Sequence, residues 1–465
     1  MILNQKNRKI GLEYEFLGIQ LENGQAVTRD IMKAIWCEFG KKNNVTVYED
    51  YATKQPVGVI YKQTDGSEVI INTDAGINIV EFGFLPFATL KECEENMKII
   101  MAEFLEVAAT QNATLIAYGI QPKTPYFYPD LKSEKIWYRG FTRFPALASG
   151  HSMFHNIAAN QPCIDVTYEE LLPAVNTLNA IAGVTIGLFA NSGWGEWKSQ
   201  DHHEMREYRW SKWMESPAEH QKLSGLPTRP FTSLRDYVAY NWDIRLPASH
   251  RGKTMHVIDP APLINDYMHA KEWQAFDVGS SEPSVIQPSI EDANLSNMYI
   301  WIQARAKYYF RDDAPFEDFL LAYDSGDVEF DEFAREHLKT LYVEVRNVAC
   351  QPWAHIMTAP AFFLGLIENL EAAEKVVKGK PWKYWVDLRQ QAITNSLGVA
   401  DIPIIAQELV EISEQGLKQR GLGEEKYIQV LFDRIDKRES PALAARRLAD
   451  EFGPDALIKD TRIKL

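Results

Sequence analysis

Cysteine is scarce in this 465-residue chain: Cys37, Cys93, Cys163 and Cys350 lie far apart and form no CxxC or zinc-type spacing. That argues against a disulfide-stapled secreted scaffold and against a structural zinc centre, and predicts reduced thiols in a cytoplasmic protein. Long hydrophobic runs are missing as well. The longest, such as AGVTIGLFA at 182–190, fall well short of the roughly 20 apolar residues that a membrane-spanning helix requires. The N-terminal MILNQKNRKI has no apolar h-region, so no secretory signal is expected. Positive charge is in deficit, with 49 Lys and Arg against 64 Asp and Glu and a formal net charge of −15. A nucleic-acid binder needs a basic footprint to displace counterions from phosphates, so neither nucleic acid nor membrane is an expected partner.

What is present is the composition of an ordinary soluble globular protein, 46% apolar and 12% aromatic. RKIGLEYEFLGI at 8–19 reads as a strand and 28–40 as a helix. VGVIYKQ, SEVIINT and INIVEFGF then alternate as antiparallel strands separated by turns such as TDGS at 64–67. Helical periodicity returns over 88–112, followed by strands at ATLIAYGIQ and HSMFHNIAAN and one long helix over 167–190. Residues 195–260 are crowded with Trp, His, Arg and Pro and lack periodicity, which predicts long functional loops. A loop at 276–294, a helix at 295–309 and the strand LKTLYVEVRNVACQP complete the first part. Beyond Ala359 the segments are helical, the last opened by Ser440 as N-cap and Pro441 at the first position. The fold class expected is α+β: a core over 1–358 built on an antiparallel sheet with surrounding helices, and a helical C-terminal section over 359–465 packed on it.

Three of these strands carry charge in an unusual way. Residues i and i+2 of a strand share a face about 7 Å apart. Glu13 and Glu15 therefore point one way, while Leu12, Tyr14 and Phe16 point into the core. Asp74 leads into a strand where Glu81 sits among Ile79, Val80 and Phe82. In YVEVRNV, Tyr342, Glu344 and Arg346 share a face opposite Val343 and Val345. Carboxylates crowded on one sheet face repel unless cations compensate them, and hard cations such as magnesium prefer oxygen ligands and keep positions for substrate phosphates. The plainer alternative is a solvated face with cross-strand partners. DHHEMREYRW at 201–210 lacks the HExxH spacing of a helical metal site, so it is expected to be a polar loop. Trp194, Trp197, Trp210 and Trp213 are expected to pack that region, the alternative being a stacking surface for adenine or an acceptor.

In their order along the chain, GLEYEF, DAGINIVEF, YGIQPK at 118–123, Phe189–Ser192 (FANS), Met205–Arg206, YVEVRNVACQP and the tail GLKQRG…SPALAARRLADEFG resemble the glutamate–cysteine ligase family, particularly its plant and proteobacterial branch. The resemblance implies a glutamine-synthetase-like sheet forming an active-site funnel, and an ATP- and magnesium-dependent carboxylate–amine ligase working through γ-glutamyl phosphate. Its substrates would be glutamate, ATP and an amine, most simply cysteine, as in glutathione biosynthesis. It implies Glu13, Glu15, Asp74, Glu81, His155 and Glu344 as metal ligands, and Arg206 and Arg346 as catalytic and phosphate-binding residues. Asn191 and Ser192 would line the nucleotide loop. Two positions depart from the family pattern. The strand that should carry a metal-binding His or Gln offers His155 in an unsettled register, and an Asp expected three residues after Arg346 is Ala349. The second departure leaves room for another amine or a peptide as acceptor. A protein that binds nucleotide or amino acid without turnover is the remaining alternative.

Overall fold

The computed structural model describes residues 8–51, 53–64, 66–74, 76–124, 156–195, 202–214, 222–252 and 254–465. His151, His155 and Trp197 lie outside them, as does the side chain of Trp213.

Nine strands form the main sheet: β1 Ile10–Gln20, β2 Val45–Glu49, β3 Pro56–Lys62, β4 Glu68–Thr73, β5 Ile79–Phe87, β6 Ala113–Ile116, β7 Asn160–Asp165, β8 Ala304–Phe310 and β9 Leu338–Val345. Their order is β8-β9-β7-β1-β5-β4-β3-β2, with β6 also on β1. Every pairing within it is antiparallel. β1 lies at the centre because its alternation is strongest: Ile10, Leu12, Tyr14 and Phe16 are fully buried on one face. That face packs on the capped helix Leu90–Thr110, where Phe16 meets Phe82 and Phe82 meets Phe104, each at 5.7 Å between ring centroids. The opposite face carries Glu13 and Glu15.

Several segments differ from their sequence reading. Residues 167–190 form two helices, Tyr168–Ala180 and Ala182–Phe189, bent by 59°. The second is apolar all round and buried all round, and its Gly183 lets the backbone of Leu388 and Arg389 approach within 3 Å of where a Cβ would stand. The expected loops at 195–260 contain the helices Met205–Met214 and Leu234–Trp242 and the strand pair Ala248–Arg251 and Thr254–Val257. Its aromatics substitute for periodicity: Trp242 is fully buried against Tyr323 and Phe319, and Trp210 stacks on Trp301 at 6.1 Å. The expected loop at 276–294 supplies the strand Pro283–Ile286 and the short helix Ile290–Ser296. The expected helix at 295–309 gives way to the strand β8 from Ala304, whose ARAKYYF sends alternate residues to opposite faces.

The C-terminal helices Thr358–Glu368, Leu370–Lys378, Trp382–Asn395, Asp401–Arg420, Gln429–Lys437, Pro441–Phe452 and Pro454–Thr461 share one continuous apolar core with the sheet. Polar ties reinforce it. Arg8 Nε reaches Glu368 at 3.1 Å, Leu90 N donates to Glu424 at 2.8 Å, and Ala117 N donates to the Thr461 carbonyl at 2.8 Å. Among the described residues no single helix is long and apolar enough to cross a membrane.

Candidate active site

The β1–β5–β4 register lines up the acidic residues. Glu15 stands opposite Glu81, and Glu81 opposite Asn72. Asp74 follows the end of β4. Carboxylate oxygens of Glu15, Asp74 and Glu81 all lie within 4.8 Å of one another. Burial, then Asp74 and Glu81, push the Glu15 carboxyl up to about 8, with Arg206 opposing. Glu15 accepts from Ala159 N at 2.7 Å and from Gln161 Nε2 at 3.2 Å. Gln161 is 3% exposed, and its Oε1 has no hydrogen-bond partner among the described residues. Three carboxylates and an orphaned amide oxygen form an all-oxygen donor set, which suits a hard divalent cation such as magnesium.

The β7–β9–β8 side of the same face is built differently. Glu344 on β9 faces Cys163 on β7 and Arg305 on β8. Glu13, Cys163 and Glu344 bring ligand atoms within 4.8 Å of one another. Glu344 is fully buried, yet both its oxygens are taken. Arg305 grips it with Nε and Nη2, each at 2.8 Å, Lys307 Nζ lies at 3.4 Å and Arg346 Nη1 at 2.5 Å. Burial alone would raise this carboxyl, but the three cations outweigh it and hold it well below the usual carboxylate range. Glu13 is pushed up by burial and by Glu344, against the pull of Lys307, Arg305 and Arg346. Burial and both carboxylates keep the Cys163 thiol protonated. Among the described residues, three cations here face two carboxylates, whereas the Glu15 cluster brings three carboxylates together near Arg206. The face is therefore polarised into a cation-seeking half and an anion-seeking half.

Arg206 reaches this face from the start of the helix Met205–Met214, near Glu15 and Arg346. Its backbone N donates to Ser192 Oγ at 3.0 Å. Ser192 Oγ donates to Glu204 Oε1 at 2.5 Å, and Asn191 N to Glu204 Oε2 at 2.9 Å. The Asn191 amide donates to the carbonyls of Cys350 at 2.6 Å and Ala117 at 3.3 Å. Asn191 and Ser192 are 2% and 0% exposed, so both side chains fasten the turn that presents Arg206, where the sequence reading had them lining a nucleotide loop.

Burial pushes the Glu204 carboxyl up to about 7, with the Ser192 and Asn191 hydrogen bonds opposing. Below the ordinary value of 4.5 the group is protonated in both folded and unfolded chains. Between there and about 7 only the unfolded chain releases its proton, so stability falls as pH rises, by on the order of 3 kcal/mol in total. Glu15, raised further still, adds a loss of the same sign in both proteins, so urea unfolding from pH 4.5 to 7.5 should show a steeper loss in the native protein than in Glu204→Gln; equal slopes in the two would contradict it.

The profile of glutamate–cysteine ligase family 2 matches residues 9–451. The chain belongs to glutamate–cysteine ligase family 2. It is accordingly an enzyme of the carboxylate–amine ligase class. The fold is similar to that of a glutamate–cysteine ligase from Francisella tularensis solved in complex with AMP, with a TM-score of 0.56 and 12% identity over 99% of this chain and 89% of that one. At that identity the likeness establishes the shared fold. A bifunctional glutathione synthetase from Pasteurella multocida (TM-score 0.45, 10% identity, 98% of this chain and 50% of that one) and the ligase PafA in complex with the prokaryotic ubiquitin-like protein Pup (0.39, 9%, 98% and 73%) are more distant and carry no weight here. No curated protein matches this sequence.

Within this family-2 ligase, Glu13, Glu15, Asp74, Glu81, Glu344, Arg206 and Arg346 converge, while Asn191 and Ser192 sit behind them. Glu344 differs from an open metal ligand, since its oxygens are already held by three cations. Four neighbours escaped the sequence reading, Gln161, Cys163, Arg305 and Lys307, while Glu204 falls within DHHEMREYRW, which that reading sets aside as a polar loop. Gln161 and Cys163 occupy the site-facing positions of β7, some residues beyond the stretch in which His155 was sought. The alternation in NQPCID and ARAKYYF was the available signal. Ala349 is 1% exposed and bridged to Ala159, and a Cβ on Gly119 would come within 2.9 Å of its own Cβ, so the missing Asp opens no cavity there. DHHEMREYRW opens a helix: the His202 ring stacks on Tyr208 at 3.9 Å, and His203 Nδ1 meets Ser396 Oγ at 2.9 Å. Trp194 packs with its Nε1 donating to Asp450 at 3.0 Å.

Proposed function

We propose that this enzyme joins the γ-carboxylate of glutamate to an amine at the expense of ATP, in a glutamine-synthetase-like funnel floored by the charged sheet face. The observation that carries the reading is the polarisation of that face, oxygen donors on one side and guanidinium and ammonium groups on the other. Glu15, Asp74, Glu81 and the orphaned Gln161 Oε1 would hold magnesium, with Glu13 between the two halves. When bound, the ion neutralises charge on the nucleotide phosphates and aligns them for attack.

The chain's own groups do the rest. Arg305 uses its Nε, Nη1 and Nη2 on Glu344 and on the carbonyls of Met298 and Ile300, so it acts as an anchor. Arg346 keeps donors beyond the one given to Glu344, and its side chain is 12% exposed, which suits it to grip the transferring phosphoryl group. Arg206 approaches from the other side. A glutamate γ-carboxylate oxygen attacks the terminal phosphorus, the bond to ADP breaks, and an acyl phosphate forms. The amine then attacks the acyl carbon, phosphate departs and the amine loses a proton. Cysteine is the simplest acceptor; another amine or a peptide is the alternative. Four free thiols fit a cytoplasmic setting.

The test is phosphate release from magnesium ATP and glutamate, screened with cysteine and a panel of amines and peptides. Release with formation of γ-glutamylcysteine supports the full reading. Release with other amines alone moves the acceptor, and no release with any of them leaves a binding protein.

A further inference from the structure

Beside the two charge clusters, the helix that carries Arg206 holds a third buried charge group. Glu207 Oε1 accepts from Arg206 Nη1 at 2.8 Å, and its Oε2 accepts from Arg389 Nη2 at 2.7 Å. Arg389 Nη1 also donates to Ser211 Oγ at 3.4 Å, and Ser211 Oγ donates to the Glu207 carbonyl at 3.0 Å. Arg206, Glu207 and Arg389 are 3%, 1% and 1% exposed.

Adjacent residues on a helix do not normally face each other, so helix geometry alone does not produce the Arg206–Glu207 contact. A buried ion pair also adds little stability over apolar packing of the same volume. What such a group supplies is a fixed direction for each side chain. Arg389 belongs to Trp382–Asn395, in the C-terminal helical section, and its backbone N is pressed against the Gly183 turn, 2.8 Å from where a Cβ would stand. The chain of constraint runs from a rigid helix crossing to Arg389, from Arg389 to Glu207, and from Glu207 to the guanidinium of Arg206. One carboxylate between two guanidiniums leaves a net positive charge near Glu15 and Arg346.

We infer that Glu207 and Arg389 are positioning residues for Arg206, so that the C-terminal helical section sets the geometry of phosphoryl transfer. The inference rests on the proposed reaction. Hydroxylamine serves as the amine probe, because it traps an acyl phosphate as a hydroxamate whatever the natural acceptor.

Kinetics with ATP, glutamate and hydroxylamine should show kcat falling about 10- to 100-fold in Arg389→Met, the scale of a small misplacement of a reacting group, with KM for ATP shifting by no more than about threefold. Arg389→Lys, which keeps one donor for Glu207, should recover most of the loss. Adding Arg389→Met to Arg206→Lys should cost no more than about threefold further, because residues that act through one another are non-additive. If Arg389→Met does not fold, the isosteric Glu207→Gln carries the same comparison. Native-like kcat in the folded variant, or a full additional loss in the Arg206→Lys background, overturns the inference. Arg206→Lys turning over like the native enzyme removes Arg206 from the reaction and the inference with it, while leaving the ligase reading standing. Absence of turnover in the native enzyme sinks both.

Discussion

Glu344→Gln is expected to destabilise the protein by about 3–5 kcal/mol, the usual effect of removing one member of a buried ionic group. Glutamine nearly preserves the shape of the side chain, so packing is not the cause. The loss follows from leaving Arg305 and Lys307, 6% and 4% exposed, together with Arg346, with Glu13 as the neighbouring carboxyl among the described residues. The amide would also turn a donor toward three donors, and both Glu344 oxygens now accept charge-assisted bonds. Since the carboxyl is held below its ordinary 4.5, its stabilisation is fully present above that value and is lost as pH falls through the depressed folded value, in strong acid. Urea midpoints at pH 7 measure the effect. A loss under about 1 kcal/mol would mean that the three cations find other partners, and the anion-seeking half of the site would need redrawing.

That cluster also shows where reading the sequence stops. Period-2 alternation was enough to put Glu13 and Glu15 on one face of a central strand, because Leu12, Tyr14 and Phe16 have a single core to enter. It was enough for β3, β4 and β5 as well, where polar turns mark each end. It failed at β8. ARAKYYF has good strand formers, but the sequence reading places it inside one helix over 295–309 after a loop at 276–294, whereas the helix is Ile290–Ser296 and the strand follows it. Arg305 and Lys307 become recognisable only when β9 is laid against β8 and Glu344 meets them. β7 failed for a related reason: register is set by the neighbouring strand, and nothing local says that Gln161, rather than a residue a few positions earlier, lands opposite Glu13. The region 195–260 hid its helices because buried Trp and Tyr replaced the aliphatic stripe that marks amphipathic helices.

Glu81→Gln should lower phosphate release from magnesium ATP and glutamate by about three orders of magnitude, the scale seen when one preorganised electrostatic contact to a transition state is lost. Folding should be intact and even improved. Without a cation, carboxyl oxygens of Glu15, Asp74 and Glu81 lie within 4.8 Å of one another, a crowding that already pushes Glu15 up to about 8, and neutralising Glu81 relieves it by a few tenths to about 1 kcal/mol. Glutamine can still accept from Asn72, which now donates to Glu81 at 3.3 Å. Stability and activity should therefore move in opposite directions at this residue, as happens where a site holds strain for its function. A second readout needs no turnover. An ion that binds only the folded chain raises its stability, by about 2.7 kcal/mol at a hundredfold excess over its Kd, so magnesium should raise the Tm of the native protein and much less that of Glu81→Gln. Equal magnesium shifts in the two proteins, with turnover retained, would place the cation away from the β1–β5–β4 cluster. Loss of the shift with retained turnover would separate metal binding there from the reaction itself.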